Sequence, residues 1–358
     1  MDKNITIVLV IKNLGAYTRR FIEYHLLYKN YPYKIVVADG GDDESISSYL
    51  EKIQLERKDQ ILYVKFKYDA TLTDFHQKLF SVFSFIETPL CVFMSPDDFI
   101  TLSGIYDSSY FLSLNPEFVS SRGSLRNVSI GGDRVFGELN LGENMYSRFT
   151  NPIDSDISSE RVKQQMDQFC GNWHNVVRTK TMKCVFGLLR LANPANMRFT
   201  EQIQASLVPA LGKVNRGEYE YILLQTNPAD KVPERSTHFM DQEQWIKSSF
   251  WPADFASMAE SVSTSISYMD KIPFNQSLDY SLQNLHNLTH LTFGDKFNQP
   301  LKDSLDNLSN LSHITFGNKF NQRLNESLKK LHNLTHLKLG DNFEQPLDNL
   351  LNSTYLFT

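Results

Sequence analysis

Two acidic clusters carry the most chemistry in this sequence, Asp39-Gly40-Gly41-Asp42-Asp43 and Ser95-Pro96-Asp97-Asp98. Adjacent aspartates just after a strand offer hard oxygen ligands that suit Mg²⁺ or Mn²⁺ and leave positions open for phosphate oxygens. A cation there offsets the charge that builds on a departing diphosphate. Neither G-x-G-x-x-G nor G-x-x-x-x-G-K-[ST] occurs, so dinucleotide-binding and P-loop readings lose their main support. Structural readings of the same residues stand beside this one. Asp97 and Asp98 also suit a turn with a helix N-cap before Phe99-Ile100, and Asp39 suits a plain Asp-Gly turn.

Both clusters follow segments that read as buried strands. Thr6 to Ile11, Tyr33 to Ala38, Ile61 to Phe66 and Leu90 to Met94 are short apolar runs rich in β-branched residues. Between them, Tyr17 to Tyr28, Ser45 to Ile53 and Thr73 to Ile86 have helical spacing. This β-α-β-α-β-α-β order implies an α/β fold with an open parallel sheet and ligands at the strand C-terminal ends.

Length and composition bound the rest. The 358 residues suit two domains, and 41% hydrophobic against 22% charged residues is enough to bury a core. A net charge of −5 argues against a general nucleic-acid binder. Cys91, Cys170 and Cys184 are too few and too irregular for a disulfide framework or a zinc site, and Cys91 reads as a buried structural thiol. The N-terminal apolar run is too short for a signal peptide or a span, and no stretch approaches 18 apolar residues. The expectation is a soluble, cytoplasmic chain. The N-x-S/T triplets at Asn287, Asn310 and Asn333 then belong to a repeat and are not glycosylation acceptors.

That repeat is the clearest local signal. Phe274-Asn275-Gln276, Phe297-Asn298-Gln299, Phe320-Asn321-Gln322 and Phe343-Glu344-Gln345 recur every 23 residues, as do Leu278, Leu301, Leu324 and Leu347. A fixed step of this length with leucines at constant offsets marks a solenoid of stacked coils. Each L-x-H-L-x-F-G run alternates as a strand does, and each Phe-Asn pair suits a buried ring plus an amide that bonds from coil to coil. His290, His313 and His336 keep the same step. They read as outward polar positions, with a metal ladder as the lesser alternative. The units resemble the FNIP repeat, a leucine-rich-repeat relative of amoebae and the large DNA viruses that infect them. The resemblance covers about residues 271 to 350 and departs from the pattern at Glu344.

Residues 5 to 110 resemble the nucleotide-binding half of a family 2 type (GT-A) glycosyltransferase. The residues that carry the likeness are Ile11-Lys12-Asn13 after the first strand, Asp39 closing the second, and Ser95-Pro96-Asp97-Asp98-Phe99 after the fourth. Ser95 stands where the family has its first carboxylate. The resemblance implies a hexosyl- or N-acetylhexosaminyl-transferase that takes a nucleoside-diphosphate sugar, a UDP-sugar first, with Mn²⁺ or Mg²⁺. It implies Asn13 and Asp39 at the nucleotide and Asp97 and Asp98 at the metal, with His238 as a third ligand from a late loop. Trp173 would stack on the sugar, Arg178 would pair with a phosphate oxygen, and Glu201 would be the general base. Each has a structural alternative: a core Trp, a surface Arg and a first-turn dipole residue at Glu201. Lys78 reads as a surface lysine on an amphipathic helix, with reach to the diphosphate as the functional alternative.

The expected layout is a GT-A domain over 1–255, a linker or docking helix over 256–270, and a leucine-rich-like FNIP array over 271–358. Expected partners are a protein or glycan acceptor and a repeat-bound protein or second copy, with neither nucleic acid nor a membrane span. The competing reading from another class is a decayed transferase domain that serves as a scaffold for the repeats. A nucleotidyltransferase would need a better Gly-rich loop than Asn13-Leu14-Gly15-Ala16.

Overall fold

The computed structural model describes residues 4–145, 151–226 and 242–272. Further on it describes 277–278, 290–294, 297–301, 304–306, 308–324, 328, 331–346 and 356–357. His238 and the Phe274-Asn275-Gln276 unit lie outside the described residues.

Four strands open the fold: β1 (Ile5–Ile11), β2 (Lys34–Asp39), β3 (Ile61–Lys65) and β4 (Leu90–Met94). They pair in parallel in the order β3-β2-β1-β4. All of β4 and nearly all of β1 and β2 is buried, as continuous apolar runs require when helices cover both faces of a sheet. Helix α1 (Gly15–Ile22) runs on into a wider π-helical turn over Glu23–Tyr28. Asp43 caps α2 (Glu44–Glu56). A Thr71–Asp74 capping box starts α3 (Leu72–Ser81).

The sheet then turns mixed. A two-residue β5 (Phe99–Ile100) precedes α4 (Leu102–Leu114), β6 (Phe118–Ile130) and β7 (Leu139–Met145). Next come α5 (Ser158–Asp167), β8 (Val176–Arg178), α6 (Thr179–Ala192), α7 (Met197–Leu211) and β9 (Lys213–Gln225). β8 is antiparallel to both β4 and β6, whereas β6 and β9 are parallel to each other. The result is a nine-stranded, mostly parallel sheet in a Rossmann-like arrangement. One face packs on α1, α2 and α4, and the other on α3, α6 and α7.

After the short α8 (Gln242–Ile246), residues 251–270 form one helix, α9 (Trp251–Asp270). Its buried side, including Phe255, Met258, Val262 and Ile266, shares a continuous apolar core with α6, α7 and the C-terminal coils. Those coils contribute β10 (His290–Thr292), β11 (His313–Thr315), β12 (His336–Lys338) and β13 (Leu356–Phe357), all paired in parallel. The pairing sets His290 beside His313 and His313 beside His336, so the 23-residue step is the strand register itself. Phe297 and Phe320 are fully buried. Asn298 accepts from the Asn321 N–H at 2.9 Å, and Asn321 from the Glu344 N–H at 3.0 Å. Among the described residues no helix is long and apolar enough to cross a membrane.

Candidate functional site

The loops at the C-terminal edge of β1, β2 and β4 gather a set of charged side chains. Asp39, the last residue of β2, is about 1% exposed. Its carboxylate accepts from the Gly41 N–H at 2.7 Å, the Tyr63 hydroxyl at 2.8 Å and Lys65 Nζ at 2.8 Å. Asn13 takes a left-handed backbone conformation and accepts from the Asp42 N–H at 2.8 Å, which joins the loop after β1 to the loop after β2. A Cβ at Gly40 would overlap the Asp69 carboxylate, and one at Gly41 would crowd Asn13. The two glycines are therefore needed for the close approach of these loops.

Asp69 follows β3 and forms a buried ion pair with Lys78 of α3. Lys78 is only 2% exposed and also donates to the Ile11 carbonyl at 3.0 Å. The surface-lysine expectation therefore fails. Lys78 points back under the loops, because α3 lies against the sheet with this side inward. Burial raises the Asp69 pKa against the pull of Lys78, and burial lowers that of Lys78 against the pull of Asp69. Lys12 donates to the Asp69 carbonyl and lies over the Tyr68 ring.

Asp97 and Asp98 occupy the turn after β4 and do not cap α4, whose N-cap is Thr101. They play different parts. Asp98 Oδ1 accepts from the Gln225 N–H at 2.9 Å, and its Oδ2 lies 3.4 Å from His174 Nε2. His174 Nδ1 sits 2.8 Å from the Phe93 carbonyl, which can only accept, so Nδ1 carries a hydrogen. A neutral ring would then aim a lone pair at Asp98. Burial alone would lower the His174 pKa, but the Asp98 carboxylate outweighs it and the value is raised. Beside Asp97, Arg20 Nη2 donates to its backbone carbonyl at 2.6 Å, and Nη1 reaches the Val135 carbonyl and Gln225. On the other side of Arg20 lies a cavity of about 320 Å³ walled by Tyr24, Tyr28, Phe99 and Phe136.

Because Asp98 already braces β4 against β9 and His174, the case for a divalent cation rests on Asp97. Its hard oxygen suits such an ion, and Asp98 would have to share. Among the described residues no three His, Cys, Asp or Glu side chains cluster as metal ligands.

Trp173 is half-buried, nearly parallel to Phe75 at 6.3 Å and tilted against Phe186 at 5.7 Å. Glu201 is exposed on α7, past the first turn, which holds no acidic residue; the dipole reading does not apply. It shares a helix face with Gln204 and Ala205. Those two residues bond to Asn172, next to Trp173 and His174. His76 ties α3 to α7 through Thr200 and to the end of α6 through Asn193, and burial lowers its pKa to about 4.

Arg178 does not join this group. It pairs with Leu90 at the opposite end of β4, and its guanidinium donates to the carbonyls of Phe118, Leu112 and Asn115. β8 runs antiparallel to β4, so the residue that ends β8 sits where β4 begins. The spacing in the sequence says nothing about that direction. Asp69 carried a legible signal, an acid just after a strand. His174 sat beside a residue already singled out. Arg20 and Gln225 had no local signal, since both arrive from distant elements.

No protein-family model and no curated protein sequence matches the chain. Among solved structures it is similar to S. aureus TarS, residues 1–349, crystallised with UDP. The two are 12% identical with a TM-score of 0.46, over 80% of this chain and 72% of that one. The complex of the same fragment with UDP-GlcNAc gives 12%, 0.46, 80% and 73%.

Proposed function

We propose that the chain is a GT-A-type glycosyltransferase that moves a hexosyl or N-acetylhexosaminyl group from a nucleoside-diphosphate sugar to a protein or glycan acceptor. The observation that carries this reading is one of convergence. Asn13, Lys12, Asp39, Asp69 and Asp97 meet at the C-terminal edge of a parallel sheet, while Glu201 lies one helical turn from Gln204 and Ala205, which bond to Asn172 beside the Trp173-His174 loop.

In an inverting transfer, Glu201 accepts the proton of the acceptor hydroxyl as its oxygen bonds to the anomeric carbon and the diphosphate departs with the bonding electrons. Lys12 and Lys78 place positive charge under the diphosphate, and Trp173 offers a ring face to the sugar. A Mn²⁺ or Mg²⁺ ion at Asp97 would supply charge neutralisation on the leaving group. UDP-sugars are the first donors to test. In the same reading the catalytic domain extends to about residue 255. Helix α9 docks the coils on it, and the coils over 271–358 form an FNIP-type solenoid that recruits the acceptor, a partner protein or a second copy.

A second reading, a scaffold without activity, is favoured by the occupation of Asp39 and Asp98 by the protein's own donors. Release of nucleoside diphosphate from UDP-, GDP- and dTDP-sugars with Mn²⁺ separates the two. Turnover that Asp97→Asn lowers about a hundredfold or more supports the transferase. Silence across all three donor classes leaves the scaffold.

A further inference from the structure

Away from this edge, two arginines face each other in the interior. Arg122 of β6 and Arg216 of β9 are cross-strand partners, 3% and 5% exposed, under α5 and the turn over 168–172. Arg216 Nη2 donates to Gln165 Oε1 at 2.7 Å, but its Nε and Nη1 are buried and bond to nothing among the described residues. Arg161, buried as deeply, behaves differently. Arg161 spends its guanidinium on the carbonyls of Pro209, Ser155, Asp156 and Ala210, and Arg178 does likewise.

The same turn gathers more unsatisfied polar atoms. Gln204 Oε1 and Gln168 Oε1 are buried without partners, although Gln204 Nε2 bonds to the Asn172 carbonyl. Gln165 Nε2 donates to the Cys170 carbonyl, and Arg122 Nη2 donates to Cys170 Sγ at 3.1 Å. A Cβ placed on Gly171 would meet no atom within 4 Å, so open space adjoins the turn. Burial lowers the Arg216 pKa first, Cys170 opposes this and Arg122 adds to it; no carboxylate stands among these causes. A guanidinium stays charged at any ordinary pH, and buried charges in folded proteins are paired.

We propose that Arg216, Arg122 and Gln165 frame an interior subsite for one small oxoanion of the phosphate type. Phosphate suits the donor set better than a bare halide or sulfate. An unprotonated oxygen meets Arg216 at Nε or at Nη1, which open in different directions, and the phosphate hydroxyl can donate to the unpartnered Gln168 oxygen. Ordered water would satisfy these hydrogen bonds but not the charge. The ligand can be free phosphate or a phosphoryl group on a larger molecule. Either would order the turn that leads into Trp173 and His174.

Equilibrium dialysis of the full chain against radiolabelled inorganic phosphate tests this, at constant ionic strength and with saturating UDP to occupy any diphosphate cleft. If the chain binds no nucleotide, the UDP is inert and the result stands. The expected result is one saturable site, at least tenfold weaker in Arg216→Lys and at least tenfold less open to sulfate. Competition by glucose 1-phosphate identifies a carried phosphoryl group, and its failure to compete identifies a free ion. No saturable phosphate, or equal affinity in Arg216→Lys, overturns the proposal in favour of a water-filled cluster. Should that variant not fold, Gln168→Leu replaces it, with the same weakening expected and unchanged affinity again decisive against the site.

Discussion

The edge of the main sheet and the C-terminal coils are both built on parallel strands, yet they use them in opposite ways. At the edge, no strand end copies another. Asp39, Asp69 and Asp97 each follow a strand, and each meets a different donor: Lys65, Lys78 and, at the Asp97 backbone, Arg20. In the coils, the repeated Phe and His positions among the described residues meet their own copies. Phe297, Phe320 and Phe343 stack at 5.7 and 6.1 Å, and the histidine rings at 4.0 Å. Dissimilar loops can be spent on chemistry because the strands beneath hold them. Identical coils are committed to stacking, since each buries its apolar side only against its neighbour.

The contrast can be broken by experiment. The largest effect is expected at the edge, where Glu201→Gln should lower kcat by about 10²–10⁴-fold. Glu201 is exposed, so its thermal midpoint should not move; a large drop in midpoint would make Glu201 structural. Next, Lys78→Met should destabilise the chain by about 3–5 kcal/mol in urea, because it leaves the Asp69 carboxylate buried without its cation. The double variant with Asp69→Leu should recover part of that loss.

In the coils, Phe320→Ala should cost about 3–5 kcal/mol from cavity formation. The core runs from the coils through α9 into α6 and α7, so a single unfolding transition is expected. Two transitions would show that the regions stand independently.

The smallest effects are on pH, and they should have opposite signs. The raised His174 pKa contributes stability fully below the unfolded value, near 6.5, and loses it as pH rises through the folded value. His174→Gln should flatten that decline in the thermal midpoint. His313 is lowered, by burial first and then by the like charge of His290 and His336. Its contribution is present above the unfolded value and lost as pH falls through the folded one. A triple exchange of the ladder to Gln should remove this acid sensitivity while the alkaline decline remains.

The parallel rings of that ladder also bear on the metal alternative. Ser312 and Thr335 lie 2.8 and 2.9 Å from Nδ1 of the following His313 and His336. Stacked imidazoles aim their remaining nitrogens side by side, not toward one point.

The alternation of segments, the four opening strands and the 23-residue register were legible in the sequence, since each depends on local periodicity. Strand ends could be read to within a residue or two, and Asp39 and Asp97 with them. The functions of those acids were another matter. Asp98 braces β9 only because Gln225, 127 positions away, arrives beside it. Arg178 was misplaced because a three-residue strand does not reveal which way it runs. Lys78 looked like a surface residue because helical spacing gives a face but not what covers it. Periodicity along a chain specifies which residues share a side. Which carboxylate stays open for a ligand depends on donors brought from elsewhere in the chain, and only the packed sheet decides that.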